Sequence, residues 1–304
     1  MFWISCFRKK KMIIIRLQGG LGNQMFQFAF ANIISKKNHT TFLIDNSFFN
    51  RVEKRSGFTP RKFELSIFNN QYTMASESAV NFFCHLSNIN KIKKKIGISY
   101  PKIYEETSFD FQTDALSIKS PVYIKGYFQS YKYCIGYEDF IRQLFSFPVE
   151  KLDEINHELL VKIKNSNSIA IHIRRGDYVN DETTAQYHGS CSKDYYLEAI
   201  KLLVSKNKDF TLVFFSDDSD WVKEHFKDLP YSKIIVDHNK EENSWKDMLL
   251  MSSCNHNIVA NSSFSWWAAW LNVNPEKTVI APKEWFTDSK KNTTDLIPSE
   301  WIRL

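Results

Sequence analysis

The sequence predicts an α/β protein of two domains, with a parallel sheet in its second half. Three observations lead to this fold class. The chain has 304 residues, whereas a single domain averages about 150. Short apolar runs alternate with longer amphipathic segments from Ile169 onward, and polar loops follow several of these runs. Since 43% of the residues are hydrophobic and 15% aromatic, the chain can bury a substantial core, which excludes a disordered protein.

The first domain, which we place at residues 1–150, opens with a βαβ unit. Met12–Leu17 predicts a strand, Gln24–Lys37 a helix with its large apolar residues on one face, and Thr41–Asp45 a second strand. Residues 46–98 carry no regular pattern and predict no ordered set of elements. Further predicted elements are a strand at Val122–Lys125 and a partly helical stretch at Tyr127–Leu144.

The second domain, which we place at residues 151–304, begins with a charged amphipathic stretch and then alternates regularly. The predicted strands are Ile169–Ile173, Phe210–Phe215, Ile234–Val236, Asn257–Ala260 and Val279–Ala281. The predicted helices are Ser192–Ser205, Ser219–Phe226, Trp245–Ser253 and Ser265–Leu271. Strands separated by helices in this rhythm predict a parallel sheet that is covered on both faces.

Charge and cysteine content narrow the classes of partner and compartment. Lys+Arg of 40 against Asp+Glu of 34 gives a net charge of +6, which suits an anionic small molecule or an acidic membrane surface. Only the cluster Lys91–Lys95 favours nucleic acid, and no nucleic-acid-reading motif accompanies it, so we expect no nucleic-acid partner. The five cysteines are odd in number and form no Cys-x-x-Cys pair, which predicts a cytoplasmic protein without disulfides or zinc.

The N-terminus is basic, and its apolar part is too short for a signal core or a membrane span. We expect it to be a solvated tail or, at most, a peripheral contact with the inner face of a membrane.

The most specific motif spans the end of the predicted strand Ile169–Ile173 and the loop after it, and includes His172, Arg174, Arg175 and Asp177. Adjacent arginines after a buried strand are costly unless both are paired. Guanidinium groups bind phosphate oxygens through two parallel hydrogen bonds and stay charged. Because ligands of open α/β sheets bind beyond the carboxyl ends of the strands, we interpret this loop as a phosphate-binding site. The alternative is a salt-bridged surface loop.

A glycine-rich loop separates the first predicted strand from the first helix. Its residues are Gln18, Gly19, Gly20, Leu21, Gly22, Asn23 and Gln24. The spacing matches neither a dinucleotide fingerprint nor a P-loop. The glycines serve either to permit a turn or, together with the amides of Asn23 and Gln24, to hold a sugar or a phosphate at a helix N-terminus.

Two more polar loops follow predicted strands in the second domain. In the first, we expect Asp217 or Ser219 to cap the next helix and an aspartate to accept hydrogen bonds from a guanine. Asp218 and Asp220 also form a metal-type Asp-x-Asp, which the neighbouring arginines make unnecessary for a diphosphate.

The second of these loops, Asn261–Phe264, combines hydroxyl groups with a helix start, which suits an anion. The alternative to an anion site is that Ser262 or Ser263 serves only as the N-cap of the helix. We expect the tryptophans that follow, Trp266, Trp267 and Trp270, to belong to the core.

Together these four motifs resemble the bacterial alpha-1,2-fucosyltransferase family, over nearly the whole chain from Ile13 to Leu304. The resemblance implies a two-domain glycosyltransferase of the GT-B type with Rossmann-like halves. It also implies GDP-beta-L-fucose as the donor, bound by the C-terminal domain, and a beta-galactoside as the acceptor, on the side of the N-terminal domain. The product would be an alpha-1,2 linkage formed with inversion, without a metal or other cofactor, in the synthesis of a surface polysaccharide such as O-antigen or capsule.

The resemblance also implies roles for individual residues. Arg174 corresponds to the residue that contacts the beta-phosphate, with Arg175 beside it, and Asp177 to a residue that orients both. His172 and Asp218 correspond to guanine-pocket residues. The phosphate-side loop would comprise Asn261, Ser262, Ser263 and Phe264, and the acceptor side Gly19, Gly20, Gly22, Asn23 and Gln24.

Three points stay open at the level of sequence. The general base that inversion requires has three candidates, Asp181, Glu182 and Asp45. The acceptor is a lactose-like or N-acetyllactosamine-like disaccharide or a lipid-linked oligosaccharide, and we expect residues 46–98 to select it. The alternatives to fucosyl transfer are a different sugar nucleotide as the donor, or a nucleotide-binding module without catalysis.

Overall fold

The computed structural model describes residues 12–50, 61–85, 87–96, 100–176, 189–205, 209–288 and 291–304. The chain forms two compact units that divide between Ser146 and Phe147. Residues 294–296 return to the first unit and residues 297–304 belong to the second.

The first unit contains a four-stranded parallel sheet. Its strands are β1 (Ile13–Arg16), β2 (Phe42–Asp45), β3 (Lys102–Glu105) and β4 (Val122–Lys125). They are arranged in the order β2-β1-β4-β3, so β1 and β4 are central. Their residues are almost all apolar and buried, as is typical of parallel strands that are covered on both faces.

The helices of the first unit are α1 (Leu21–Lys37), α2 (Glu77–Cys84), α3 (Asn88–Lys95) and α4 (Glu138–Leu144). Nearly every residue of α1 is buried, on all sides of the helix. Ser76 and Ser87 cap α2 and α3 by accepting hydrogen bonds from backbone N–H groups in the first turn, which satisfies donors that a helix start leaves free.

The second unit contains a six-stranded parallel sheet. Its strands are β5 (Ser168–Ile173), β6 (Thr211–Ser216), β7 (Ser232–Val236), β8 (His256–Ile258), β9 (Val279–Ala281) and β10 (Ile302–Arg303). The order is β10-β9-β8-β5-β6-β7, which is the doubly wound Rossmann order. The strand order reverses between β5 and β8, and this reversal is where such sheets bind ligands.

The described residues of this unit form five helices. They are α5 (Glu154–Lys164), α6 (Lys193–Val204), α7 (Ser219–Phe226), α8 (Ser244–Ser252) and α9 (Ser263–Leu271). The core is dense in aromatic residues, and Trp266, Trp267 and Trp270 are all buried in it. The predicted core position of these three tryptophans is therefore confirmed.

The predicted α/β class, with a parallel sheet in the second half, is confirmed, and the first half contains a second parallel sheet. The sequence did not predict α2, α3, β3 or β10. No helix in the described part of the chain is long and apolar enough to span a bilayer.

Candidate active site

The polar loops of the second unit meet at the carboxyl edge of its sheet. The register of β5 and β6 pairs Ile173 with Ser216. The residues that follow these two positions therefore leave the sheet side by side, Arg174 next to Asp217 and Arg175 next to Asp218. Strand pairing thus places two cations beside two anions at one edge of the switch point.

Both arginines are paired with these aspartates. Nη1 of Arg174 lies 2.8 Å from Oδ2 of Asp217, and Nε of Arg175 lies 3.2 Å from Oδ2 of Asp218. The backbone N–H of Arg175 donates to Oδ1 of Asp217 at 2.8 Å. Asp217 therefore fixes the backbone of the arginine loop as well as one guanidinium group.

Gly176 allows this close approach. A Cβ atom at this position would lie 2.8 Å from Oδ2 of Asp217, a distance that real contacts do not reach. A side chain at residue 176 would therefore push Asp217 away from Arg174.

The guanidinium of Arg175 also stacks on an aromatic ring. Its Cζ lies 4.4 Å from the centre of the Trp221 ring, within the range of a cation–π interaction. His225 stacks on Trp221 at 4.3 Å. Asp218 caps α7 by accepting from the N–H of Trp221 at 3.1 Å, so one carboxylate positions both the arginine and the helix that carries its stacking partner.

The contacts of Asp218 and Asp220 argue against a metal site at this Asp-x-Asp sequence. Asp218 is engaged by Arg175 and by the start of α7, and Asp220 is exposed and paired with Lys223 at 3.5 Å. The cap of α7 is Asp218, whereas the sequence suggested Asp217 or Ser219. Within the described ranges, no group of three His, Cys, Asp or Glu residues is arranged to hold a metal ion.

His172 is buried at the end of β5, and its ring centre lies 5.8 Å from that of Phe264. Burial lowers the pKa of His172, and the Arg174 guanidinium lowers it further, while Asp217 opposes both effects. The ring is therefore neutral at pH 7. Its Nδ1 is buried and has no hydrogen-bond partner among the described residues.

The Asn261–Phe264 loop starts α9 on the other side of the switch point. Ser262 is the N-cap and accepts from the N–H of Phe264 at 3.3 Å. Ser262, Ser263 and Phe264 are half-buried. Asn261 is buried, and its amide donates to the carbonyls of Gly189 and Trp285, which ties two neighbouring loops together beneath the helix start.

A pocket of about 400 Å³ opens at the carboxyl ends of β8, β9 and β10. One lining residue follows each strand, namely Asn261, Pro282 and Leu304. Its charged lining comprises Asp194, Glu198, Glu284 and Lys283. A lining in which carboxylates outnumber cations suits a neutral polyhydroxyl group better than a phosphate.

In the first unit, the glycine-rich loop is held by buried amides. Gln24 is fully buried, donates to the carbonyls of Gly19 and Lys62, and accepts from the N–H of Glu64. These bonds give Gln24 a structural role. Oδ1 of Asn23 accepts from Gln129 at 2.8 Å.

The N-terminus of α1 is already occupied by a carboxylate. The N–H of Leu21 donates to Glu64, whose pKa is raised by burial and lowered by Arg61 and by this bond. The Glu64 carboxylate therefore takes the place that an anionic ligand would occupy at this helix N-terminus, which argues against a phosphate at this loop.

Of the three candidates for the general base, the structure describes only Asp45. Asp181 and Glu182 lie outside the described residues, as does Asp177, the residue expected to orient the arginines. Asp45 is buried at the end of β2, accepts a short hydrogen bond from the Tyr123 hydroxyl and accepts from the N–H of Ser47. Burial raises the pKa of Tyr123, and the bond to Asp45 raises it further. This engagement argues against Asp45 as a base.

Comparison with protein families fits this geometry. The model described as glycosyl transferase family 11 matches residues 4–304. The chain belongs to this family. Membership makes it a glycosyltransferase.

Two relatives from Escherichia coli align over almost their full length. The O-antigen biosynthesis glycosyltransferase WbnK is 33% identical over 303 residues, which cover 95% of this chain and 99% of the relative. An alpha-1,2-colitosyltransferase is 32% identical over 300 residues, 96% of this chain and 99% of the relative. Galactoside alpha-(1,2)-fucosyltransferase 1 of Lagothrix lagotricha is 28% identical over 104 residues, 34% of this chain and 28% of its own.

Sequence reasoning missed several residues that shape the site of this family 11 member. Asp217 was considered only as a cap, and Trp221, Gly176 and Glu64 were not singled out. A signal existed for Trp221, because a helix start places a residue three positions after its N-cap close to the cap. No local signal marks Glu64, which reaches α1 from a region without periodicity.

Proposed function

We propose that this chain is a galactoside 2-alpha-L-fucosyltransferase. It transfers L-fucose from GDP-beta-L-fucose to the 2-hydroxyl of a beta-galactoside, with inversion and without a metal, in the synthesis of a surface polysaccharide such as O-antigen. The observation that carries the proposal is the pair Arg174 and Arg175, held by Asp217 and Asp218 at the switch point. The full-length similarity to an O-antigen glycosyltransferase supports the biosynthetic context.

The chemistry of the leaving group explains why fixed arginines matter. Cleavage of the bond between fucose C1 and the phosphate oxygen leaves negative charge on GDP while positive charge builds on C1. Cations that are already oriented stabilise this charge without reorganisation. Arg174 and Arg175 supply two such cations, and the free N–H groups at the start of α9 supply further donors to the diphosphate.

The remaining parts of the donor have candidate partners at the same edge. We assign the neutral His172 ring, which lies against Phe264, to the guanine pocket. The pocket beside Asn261 is suited to a neutral sugar. We assign Asn23 and the glycine-rich loop to the acceptor side and keep Gln24 as a structural support of that loop.

Inversion requires one displacement. The galactose 2-hydroxyl oxygen attacks C1 of fucose opposite the phosphate, a carboxylate takes the hydroxyl proton, and GDP leaves with the bonding electron pair. We propose Asp181 or Glu182 as that carboxylate, because they follow the arginine motif closely in sequence, and Asp177 as a further support of the arginines.

The similarity to a colitosyltransferase makes GDP-colitose a second donor to test. The alpha-1,2-colitosyltransferase matches this chain almost as well as WbnK does, and colitose is fucose without its 3-hydroxyl. A site that hydrogen-bonds the 3-hydroxyl rejects the deoxy sugar strongly, whereas a site without such a partner accepts both.

The test is a transfer assay with labelled GDP-fucose and, separately, GDP-colitose, on lactose and on N-acetyllactosamine, with and without EDTA. We expect fucosyl transfer to the galactose 2-hydroxyl that resists EDTA and is lost in Arg174→Ala. Transfer of colitose alone would assign the other donor. Stabilisation by GDP without turnover on any acceptor would leave a nucleotide-binding module, and loss of turnover with EDTA would overturn the metal-free mechanism.

A further inference from the structure

The helix α3, together with its C-cap Ile96, presents a row of isoleucines to solvent. Ile89, Ile92 and Ile96 are exposed to 67%, 58% and 62%. Their spacing of three and four positions places them on one side of the helix. In a helix that covers a sheet, such a row faces the core. In α3 the row faces water, so the fold itself does not explain it.

The surroundings of this row are strongly basic. Between Glu77 and Glu105 the chain carries five lysines and no acidic residue. Lys91, Lys94 and Lys95 lie on α3 and are exposed. The ammonium groups of Lys94 and Lys102 each lie 5.9 Å from the centre of the Tyr100 ring, which extends the positive surface beyond the helix and adds an aromatic ring to it.

We propose that this face of α3 binds the anionic surface of a phospholipid bilayer. The isoleucines would insert at the boundary between headgroups and acyl chains, and the lysines would contact the anionic headgroups. An aromatic ring such as that of Tyr100 is favoured at the same depth. The proposal does not depend on the identity of the sugar donor.

The positive charge and the apolar row together favour an anionic bilayer over other partners of this surface. A second copy of the chain would bring the same lysines face to face, which is repulsive. Nucleic acid would satisfy the lysines, but its phosphate backbone offers nothing to the isoleucine row. An anionic bilayer satisfies both groups at once.

The test is sedimentation of the full chain with vesicles of phosphatidylcholine alone or mixed with phosphatidylglycerol. We expect binding to the mixed vesicles only. The double variant Ile89→Ser, Ile92→Ser should bind at least about tenfold more weakly. The triple variant Lys91→Gln, Lys94→Gln, Lys95→Gln should also bind weakly and lose the dependence on salt.

Ile155 provides a matched control, because it is exposed to 63% on α5, beside Glu154 and Glu158. Ile155→Ser should bind vesicles as the wild type does, and thermal unfolding should be unchanged in all these variants because the replaced side chains are exposed. The proposal is overturned if the wild type ignores anionic vesicles, or if the double variant binds them as tightly. Self-association that disappears in the double variant, without vesicle binding, would overturn it in favour of an interface between copies.

Discussion

Arg174 and Asp217 form an ion pair with an N–O distance of 2.8 Å at the carboxyl edge of the second sheet. Asp217 also accepts from the N–H of Arg175, so one carboxylate holds a guanidinium group and the loop that carries it. Such a partner lowers the entropy that the arginine loses when it meets a phosphate. Arg174 is thereby oriented before the donor arrives.

This relationship predicts the effect of Asp217→Asn. The amide keeps the size of the side chain but loses its charge, and a hydrogen bond to a charged group contributes about 1.5–3 kcal/mol. We expect kcat/KM for the donor to fall roughly 10–100-fold, with an unchanged KM for the acceptor.

Asp237→Asn is the matched control, because Asp237 pairs with Lys223 at the surface. It should retain wild-type kinetics in the same steady-state assay. Wild-type donor kinetics in Asp217→Asn would show that Arg174 needs no such partner.

The stacking of Arg175 on Trp221 predicts a graded response to substitution. A cation–π contact contributes about 0.5–2 kcal/mol, so Trp221→Leu should raise the KM for the donor roughly 3–10-fold. Trp221→Phe should lie between Trp221→Leu and the wild type because it keeps an aromatic face. Equal kinetics for Leu and Phe at this position would contradict a role for the ring.

Part of this site was predictable because it depends on local sequence. The apolar run of β5 and the arginines after it fix where the site begins, and the N-cap at Ser262 follows from residue type. The pairing of Arg174 with Asp217 and of Arg175 with Asp218 was not predictable. It depends on the register of β5 and β6, and a shift of one residue would have placed Arg174 beside Asp218 and Arg175 beside Ser219, or Arg174 beside Ser216 and Arg175 beside Asp217.

The same distinction between local and long-range determinants explains which elements and contacts the sequence did not predict. β3 is an edge strand of four residues, three of which are exposed, so its pattern is weak. In α3 the apolar row does not face the core, so periodicity could not indicate how the helix packs. The internal role of Gln24 was hidden because its partners, Lys62 and Glu64, lie in a region without periodicity.

Two glycines with nearly the same φ allow backbone strain to be measured separately from steric contact. Gly19 has φ of 79° and Gly136 has φ of 80°, a region that favours glycine. A Cβ at Gly19 would lie 2.4 Å from Nδ2 of Asn23, whereas a Cβ at Gly136 would meet nothing within 4 Å.

Gly136→Ala should therefore cost about 1 kcal/mol of unfolding free energy from strain alone. Gly19→Ala should cost roughly 1–3 kcal/mol more, because it displaces Asn23 from Gln129. Chemical denaturation of both variants measures the difference, and equal losses would show that the Asn23 contact carries no weight.

Asp247 predicts a pH dependence of stability. Its Oδ1 accepts from Nδ2 of Asn239 at 2.8 Å, and burial raises its pKa from 3.8 to about 7 despite this bond. Between these values the folded state binds a proton that the unfolded state has released. The contribution of this group to stability is therefore present below about pH 4 and is lost as the pH rises toward 7.

Asp247→Asn keeps the accepting oxygen and removes the charge. We expect the variant and the wild type to have similar stability near pH 4, and the variant to be more stable by roughly 3–5 kcal/mol at pH 8. Asp139→Asn is the control, since that carboxylate is 99% exposed, and its effect should not change between the two pH values. Calorimetric melting at both pH values measures this difference. A difference between Asp247→Asn and the wild type that stays constant with pH would mean that the pKa of Asp247 is the same in the folded and the unfolded protein.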